Sequence, residues 1–360
     1  MRETRMAAST HTKKPGRSGK EQRAGRKLQI FLPVLTIFIV LGLVCLYPVM
    51  IPGAPRYAVI KVPEGATLEM LGDSLTRHFG KTYSNRVMWL VKLRGTNPLN
   101  RHGAYAINKG ANALAAMRKL TSGAQTPVKI TINGFRDINL MKKKIAAKLE
   151  FTPEALDSAL NNADLLRHYG LTPENAMALF IDDTYEVFWT TTPEQLLGKI
   201  GDNYMKVWNP ENTRKAAQLG MTPAEITVIA SIADEETNDI AEKGTVGRLY
   251  INRLKKGIRL QADPTVKFAA GDFSIRRITG KHLKTDSPYN TYLNAGLPPG
   301  PIRTTSAATI NAILNAPASD YLYMCAKEDF SGKHNFTDKY EEHLKNAARY
   351  QEALNRAGIK

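Results

Sequence analysis

The chain has 360 residues, with 50 Lys and Arg against 33 Asp and Glu, and a formal charge of +17. So basic a chain suits an anionic partner, either a nucleic acid, an acidic polymer or a lipid surface. A disulfide framework is excluded, because only Cys45 and Cys325 are present and Cys45 lies within a long apolar segment.

The first predicted element is a membrane-spanning helix. Residues 28–51 (LQIFLPVLTIFIVLGLVCLYPVMI) carry no charge, and about 20 apolar residues suffice to cross a bilayer core of ~30 Å. Residues 1–27 are dense in Lys and Arg and low in hydrophobic content, which predicts a disordered cytoplasmic tail. A cleaved signal peptide is the alternative, but the apolar run exceeds a typical signal core and no clean cleavage site follows. We expect a single-pass anchor, with everything after it on the far side of the membrane.

Residues 57–124 are predicted to form a small α+β module. The segments YAVIKV and GAYAI read as strands. Thr67 opens a first helix, a second ends near Gly95, and a third stops before Gly123. The exported region holds roughly 300 residues, enough for a sizeable core in two or three domains without disulfides.

Residues 125–216 are predicted to form a connecting α+β region that begins with the strand VKITI at 128–132. Threonine–proline pairs then mark helix starts, because Thr caps a helix and Pro fits its first position. These pairs begin at Thr152, Thr172, Thr192 and, just beyond this region, Thr222. Gln195 and Glu225 complete capping boxes with Thr192 and Thr222. The threonines are therefore interpreted as structural.

Residues 217–354 carry the least ordinary residues. Two helices are predicted, MTPAEITVIASIADEETND and TVGRLYINRLKKG, the second closed by Gly257. An irregular stretch rich in Asp, Asn, Gly and Pro follows, and loops held by helices are where functional residues concentrate. Within that stretch, residues 271–287 form a loop to which the sequence assigns no role.

Asp234, Glu235 and Glu236 follow one another near the C-terminus of the first of these helices. At about 100° per residue, Glu236 projects near the middle of the apolar face, and Asp234 and Glu235 fall toward its edges. Desolvation and the negative end of the helix dipole both raise a carboxyl pKa, which is the property of a general acid. A run of acids is ordinarily a solvated helix end, but the placement of Glu236 predicts a catalytic acid.

Other chemistries find no matching residues. The seven histidines are scattered without zinc spacing, and neither a G-x-S-x-G elbow nor a phosphate-binding glycine loop occurs. We therefore expect no metal and no cofactor. An isolated acid beside loops rich in amides and tyrosines fits glycosidic cleavage better than ester, peptide or phosphoryl chemistry.

Six motifs then occur in a fixed order along the chain. They are Asp183–Glu186 (DTYE), Ala230–Thr237 (ASIADEET), Tyr250–Leu254 (YINRL), Leu260–Val266 (LQADPTV), Tyr289–Tyr292 (YNTY) and Gly296–Ile302 (GLPPGPI). Together they resemble the endolytic murein transglycosylases, the YceG-like family. The resemblance implies an α+β chain with an N-terminal transmembrane helix, a LysM-like module at 57–124 and a mixed α/β catalytic domain at 217–354.

The resemblance also implies the reaction. Members of this family cleave MurNAc–GlcNAc β-1,4 bonds within nascent glycan strands without water, which leaves 1,6-anhydro-MurNAc ends and helps to terminate elongation. The family's catalytic glutamate maps onto Glu236. Gln261, Asp263, Asn290 and Tyr292 are expected to contact substrate, although the D-P-T sequence at Asp263 is also an ordinary helix start.

Three further expectations follow from the resemblance. Asn252 and Arg253 are expected to brace the helix pair, and the Gly296–Pro301 run to shape a cleft wall. The expected partners are peptidoglycan glycan strands, membrane lipid and the penicillin-binding synthases, with no nucleic acid. The expected location is the plasma (inner) membrane, with the catalytic region in the periplasm.

Two other functions stay open from the sequence. In one, the chain is a membrane-anchored peptidoglycan-binding scaffold without activity, so that Glu236 could be changed without effect. In the other, the basic charge serves a membrane-tethered nucleic-acid binder, although no RNP, zinc-finger or helix-turn-helix signature is present.

Overall fold

The computed structural model describes residues 31–44, 46, 51, 53–95, 101–275 and 278–358. The chain divides into two compact units, Met1–Ala124 and Gln125–Lys360. Each unit has its own hydrophobic core. The predicted tail at 1–27 and Cys45 lie outside the described residues.

The predicted membrane segment is described only in part. Residues 31–44 form helix α1, and its large apolar side chains are exposed. Among the residues described here, no helix has both the length and the hydropathy needed to cross a bilayer. Residues 28–30, 45 and 47–50 of the predicted span lie outside the described part.

After α1, the first unit is a β-α-α-β-α arrangement. Its two strands pair antiparallel, with Ile60 opposite Tyr105, and both of these side chains are fully buried. The predicted helix signals are confirmed: Thr67 accepts a hydrogen bond from the Met70 amide, and Gly95 ends a helix in the left-handed conformation. The elements are β1 (Ala58–Val62), α2 (Leu68–Phe79), α3 (Lys81–Arg94), β2 (Gly103–Ile107) and α4 (Ala113–Ser122).

The second unit begins with an antiparallel strand pair and a set of short helices. The predicted strand at 128–132 is confirmed, and its partner is the DTYEV segment. The elements are β3 (Val128–Ile132), α5 (Ile138–Ala146), α6 (Pro153–Leu160), α7 (Ala163–Arg167), a 3₁₀ helix (Pro173–Leu179), β4 (Asp183–Val187), α8 (Pro193–Val207) and α9 (Pro210–Gln218).

The four threonine–proline pairs all begin helices, as predicted. Thr192 and Thr222 form the expected capping boxes with Gln195 and Glu225. Thr172 differs, because the segment that it opens is a 3₁₀ helix. These assignments succeed because capping depends on residues within one turn of each other.

The rest of the second unit holds the buried helix and its neighbours. In chain order they are α10 (Pro223–Glu236), α11 (Ile240–Lys255), α12 (Asp263–Ala270), a 3₁₀ turn (His282–Lys284), α13 (Ala307–Asn315), β5 (Tyr323–Ala326), β6 (His334–Thr337) and α14 (Tyr340–Arg356). Strands β5 and β6 form an antiparallel hairpin.

The boundary between α10 and α11 differs from the prediction. Helix α10 ends at Glu236, because Thr237 is already extended, and Asp239 caps the start of α11 with its side chain. The predicted single apolar face of α10 is also wrong. The helix is buried on every side, polar Thr227 and Ser231 included.

Helices α11 and α13 pack closely through two glycines. A Cβ atom on Gly244 would lie 2.6 Å from the carbonyl oxygen of Ala312, and one on Gly247 would lie 2.5 Å from Cγ1 of Ile313. Neither separation is sterically allowed, so both positions must be glycine. This contact fixes α11 against the core and, with it, the side chains that α11 carries toward the end of α10.

Candidate active site

Glu236 is the last residue of α10 and lines a cleft of about 450 Å³. Its Oε1 accepts a 2.7 Å hydrogen bond from the hydroxyl of Tyr250 on α11. Burial raises the pKa of Glu236 from 4.5 to about 7, although the Tyr250 hydrogen bond acts against this rise. Nearby Asp263 raises the pKa further and Lys267 lowers it. The carboxyl can therefore carry a proton at neutral pH and release it there.

Asp263 stands at the start of α12 and lines the same cleft. Its Oδ1 accepts a 2.7 Å hydrogen bond from the Tyr292 hydroxyl, and burial together with Asp263 raises the pKa of that hydroxyl. Two carboxyl groups thus face one cleft, each holding a tyrosine O–H. Because their charges interact, one of them, Glu236, tends to keep its proton.

The predicted residue Gln261 also lines the cleft. Its backbone is left-handed at φ 50°, which is uncommon for a residue other than glycine. The guanidinium of Arg253 donates to the side-chain Oε1 of Gln261 at 2.6 Å. The backbone N–H of Gln261 donates to the carbonyl of Thr291. Gln261 is therefore held both through its side-chain oxygen and through its backbone.

The opposite wall of the cleft was not predicted from the sequence. It consists of the β5–β6 hairpin and the start of α14, which contribute Tyr323, Met324, Cys325, Ala326, His334, Tyr340 and His343. The rings of Tyr323 and His343 stack at 5.4 Å, and Tyr340 packs against both. Aromatic residues more than 60 positions downstream of α11 gave no local signal of this proximity.

Asp234 and Glu235, which were predicted to lie toward the edges of the apolar face of α10, are both paired with basic side chains. Asp234 is buried, forms a 2.7 Å ion pair with Lys243 and accepts hydrogen bonds from the hydroxyls of Thr305 and Thr309. It thereby joins α10 to α11 and α13. The Glu235 carboxylate pairs with two arginines and does not line the cleft.

The structure contradicts the expectation that Asn290 contacts substrate. Asn290 is fully buried and donates its amide hydrogens to the carbonyls of Leu283 and Thr285, while its oxygen accepts from the Tyr292 amide. Its hydrogen bonds hold the loop that carries Tyr292. A polar residue in an irregular segment is often used by that segment's own backbone.

Three other predicted roles are changed in detail. Asn252 donates to the carbonyls of Ser319 and Tyr321, so it secures the approach to β5 rather than the helix pair. Arg253 likewise donates to the carbonyl of Leu322, and it also lines the cleft. The Gly296–Pro301 run contributes Pro301 to a second groove and does not line the main cleft.

The described residues contain no group of three or more His, Cys, Asp or Glu side chains placed to hold a metal ion. The cleft instead presents carboxyl, phenol, amide and guanidinium groups around an open volume. Such a set can donate and accept protons and can hydrogen-bond a ligand rich in hydroxyl and amide groups.

Comparison with known proteins gives a consistent result. Residues 60–349 match the YceG-like family. The endolytic murein transglycosylase of Bacillus subtilis is 27% identical over 323 residues, which cover 82% of this chain and 85% of that protein. The endolytic murein transglycosylase of Streptococcus pneumoniae D39 is 23% identical, and the aligned region covers 58% of its length.

A solved structure shows the same fold. The crystal structure of a yceG-like protein from Listeria monocytogenes aligns with a TM-score of 0.53 at 24% identity, over 81% of this chain and 98% of that one. The predicted mixed α+β fold is confirmed. Because the family match extends over most of the sequence, the chain belongs to the YceG-like family.

Proposed function

We propose that the chain is an endolytic murein transglycosylase that cleaves the MurNAc–GlcNAc β-1,4 bond within peptidoglycan strands. Relatives at 22–27% identity carry that name. The observation that carries the proposal is the Glu236 carboxyl, which lines the cleft and whose pKa burial raises to about 7. A carboxyl of this kind can act first as an acid and then as a base at neutral pH.

In the proposed reaction, protonated Glu236 donates its proton to the glycosidic oxygen as the C1–O bond breaks. Positive charge develops at C1 of MurNAc, and the Asp263 carboxylate on the same cleft stabilises it. The Glu236 carboxylate then takes the proton of the C6 hydroxyl while O6 bonds to C1. The products are a free GlcNAc hydroxyl and a 1,6-anhydro-MurNAc end, and Glu236 regains its proton.

The surrounding side chains have distinct roles in this scheme. Tyr250 holds the Glu236 carboxyl in one orientation through the 2.7 Å hydrogen bond. The side-chain NH₂ of Gln261 is available to an acetamido or hydroxyl oxygen, since Arg253 already occupies its carbonyl oxygen. Tyr340 on the opposite wall is 57% exposed and offers ring surface on which a sugar can stack.

The location of the enzyme is part of the proposal. The uncharged run at 28–51 and the basic tail before it support a single-pass anchor in the plasma membrane, with the cleft on the outer side. The β-α-α-β-α unit at 58–122 supports a LysM-like module. Such a tether would hold the cleft near newly made glycan, membrane lipid and the penicillin-binding synthases, and would favour nascent strands.

The test is Glu236→Gln in the full-length chain, assayed on purified sacculi and on uncrosslinked strands by mass spectrometry of the products. Loss of the acid should lower the yield of anhydro-ended muropeptides at least about 1,000-fold. Glu186→Gln is the matched control, because Glu186 is an exposed glutamate on β4 whose ion pair with Lys129 is solvated. The control should cleave like the wild type.

The other outcomes separate the rival functions. Unchanged cleavage by Glu236→Gln would overturn the assignment of the acid. Products with reducing ends would indicate a hydrolase. Glycan binding without cleavage by the wild type would indicate a scaffold, and salt-dependent binding of nucleic acid without glycan binding would support the nucleic-acid alternative.

A further inference from the structure

A second groove of about 380 Å³ lies beside the cleft, and the proposed function makes no use of it. Three aromatic rings dominate one side of it. The ring centroids of Phe268 and Tyr289 are 4.6 Å apart, and those of Phe268 and Phe273 are 6.4 Å apart. Phe273 is 40% exposed, so its ring is accessible to a ligand. We call this the aromatic groove.

The facing side is made of rigid backbone. Pro173 and Glu174 at the start of the 3₁₀ helix lie on it together with Pro301. A Cβ atom on Gly300 would lie 2.6 Å from the Glu174 carbonyl oxygen, so only glycine allows these two segments to meet. The groove is therefore preformed, as binding sites for small or extended ligands usually are.

Arg136 supplies a charge to the aromatic groove. Its guanidinium lies 5.4 Å from the centroid of the Phe273 ring and donates to both oxygens of Glu235 at 2.7 and 2.8 Å. Arg303 donates to the same Glu235 carboxylate. Two arginines thus share one carboxylate, and because the acidic residues Asp137 and Glu174 also line the groove, its charges are mixed.

Two elements, the end of α10 and helix α12, connect the aromatic groove with the cleft. At the end of α10, Glu236 lines the cleft and the adjacent Glu235 holds Arg136 of the groove. On α12, Asp263 lines the cleft and Phe268 lines the groove. Those two residues are about 7–8 Å apart along the helix axis at ~1.5 Å per residue. The two sites therefore lie toward opposite ends of the same short helix.

We propose that the aromatic groove binds the glycan strand where it continues beyond the bond at Glu236. The inference rests on the proposed function and deepens it. Cleavage within a strand requires sugar on both sides of the broken bond, and stacked rings suit the apolar faces of pyranose units.

The test compares two substrates. Phe273→Ala in the full-length chain should lower kcat/KM for long uncrosslinked strands about tenfold. The fall should be several-fold smaller on a tetrasaccharide, which is too short to fill both the cleft and the groove. Phe188→Ala is the matched control, since Phe188 is 48% exposed and lines neither site. It should retain wild-type rates on both substrates.

A binding measurement keeps the groove testable even if the proposed reaction is wrong. On the inactive Glu236→Gln background, Phe273→Ala should weaken binding of long strands about tenfold. Equal losses on long and short substrates, or unchanged binding of long strands, would overturn the groove. Wild-type protein that binds strands through the groove but cleaves neither substrate would instead overturn the reaction.

Discussion

Two carboxyl groups near the end of α10 lie on different sides of the helix and have different partners. Asp234, on the core side, has a lysine and two threonine hydroxyls around it. Glu236, only two residues later and on the cleft side, has the phenol of Tyr250. The first arrangement stabilises charge in a fixed place, and the second leaves a proton free to come and go. Neighbours, rather than burial alone, separate a structural acid from a reactive one.

One helix can carry both a structural acid and a reactive one. The compensated Asp234 ties α10 to α11 and α13, and so it fixes the helix end on which the uncompensated Glu236 stands. Burial costs energy for each ionised carboxyl, but the core side offsets that cost with an ion pair. The cleft side does not, and there the cost appears as a raised pKa.

The largest expected effect comes from breaking the core side. Asp234→Asn removes the partner of Lys243, whose side chain is 15% exposed, and leaves a nearly buried ammonium uncompensated. We expect the free energy of unfolding to fall by about 3 kcal/mol, measured by urea denaturation.

The control for this prediction is Asp164→Asn. Asp164 forms an ion pair of similar length, 2.8 Å, with Arg167, but both side chains are at least 75% exposed. Exposed pairs contribute at most about 1 kcal/mol. Equal losses in the two variants would contradict this expectation. They would show that the Asp234–Lys243 ion pair contributes no more to stability than an exposed pair does.

An effect of similar size is expected when the carboxyl on the cleft side is neutralised. As pH rises, the unfolded chain ionises Glu236 near its ordinary pKa of 4.5, whereas the folded chain does so near 7. Wild-type stability should therefore fall between these pH values, by about 3 kcal/mol in all, since one pKa unit corresponds to about 1.4 kcal/mol. Glu236→Gln cannot ionise and should not show this loss.

The measurement is urea unfolding of both proteins at pH 4.5 and pH 8, with Glu186→Gln as the control. The Glu236→Gln variant should gain stability relative to the wild type only at the higher pH. A gain of the same size at both pH values would mean that the substitution acts through packing instead of charge.

The smallest effects concern the groups that adjust the pKa of Glu236. The Tyr250 hydrogen bond lowers it and the Asp263 charge raises it. Tyr250→Phe should therefore move the alkaline limb of the pH–rate profile to higher pH, and Asp263→Asn should move it to lower pH. Each should lower the maximal rate about tenfold, since each also positions a group at the reacting bond.

Tyr204→Phe is the matched control for the loss of a phenol, because the buried Tyr204 hydroxyl has no hydrogen-bond partner among the described residues. It should leave the pH profile in place. Shifts in the same direction for Tyr250→Phe and Asp263→Asn would contradict the opposed roles assigned to them.

Local features of the fold could be read from the sequence, and long-range ones could not. The threonine caps and the strand at 128–132 depend on neighbours within a few residues, and they were predicted correctly. The inward position of Glu236 was also predicted, but from a one-sided helix that in fact is buried all round. The correct residue was reached through an incomplete description of its surroundings.

The partners of the site lie beyond the reach of local patterns. Tyr250 belongs to a recognised motif, yet nothing in its spacing indicates a hydrogen bond to Glu236 across two helices. The prediction that Asn290 contacts substrate was wrong for a different reason. A side-chain amide in a polar loop can hydrogen-bond the backbone of that loop as readily as a ligand. Tyr323 and Tyr340 line the cleft only because the β5–β6 hairpin and α14, which come late in the sequence, pack beside α10 and α11.

The glycine contact between α11 and α13 has a consequence for how this site could change over time. Tyr250 stands three residues, almost one turn, beyond Gly247, whose missing side chain sets how near α11 approaches Ile313. A methyl group there would push the helix outward and carry the phenol away from its carboxyl. A position that contacts no ligand thus limits how far the Tyr250 hydroxyl can lie from Glu236. Selection for catalysis should therefore constrain the sequence at the α11–α13 contact as strongly as in the cleft.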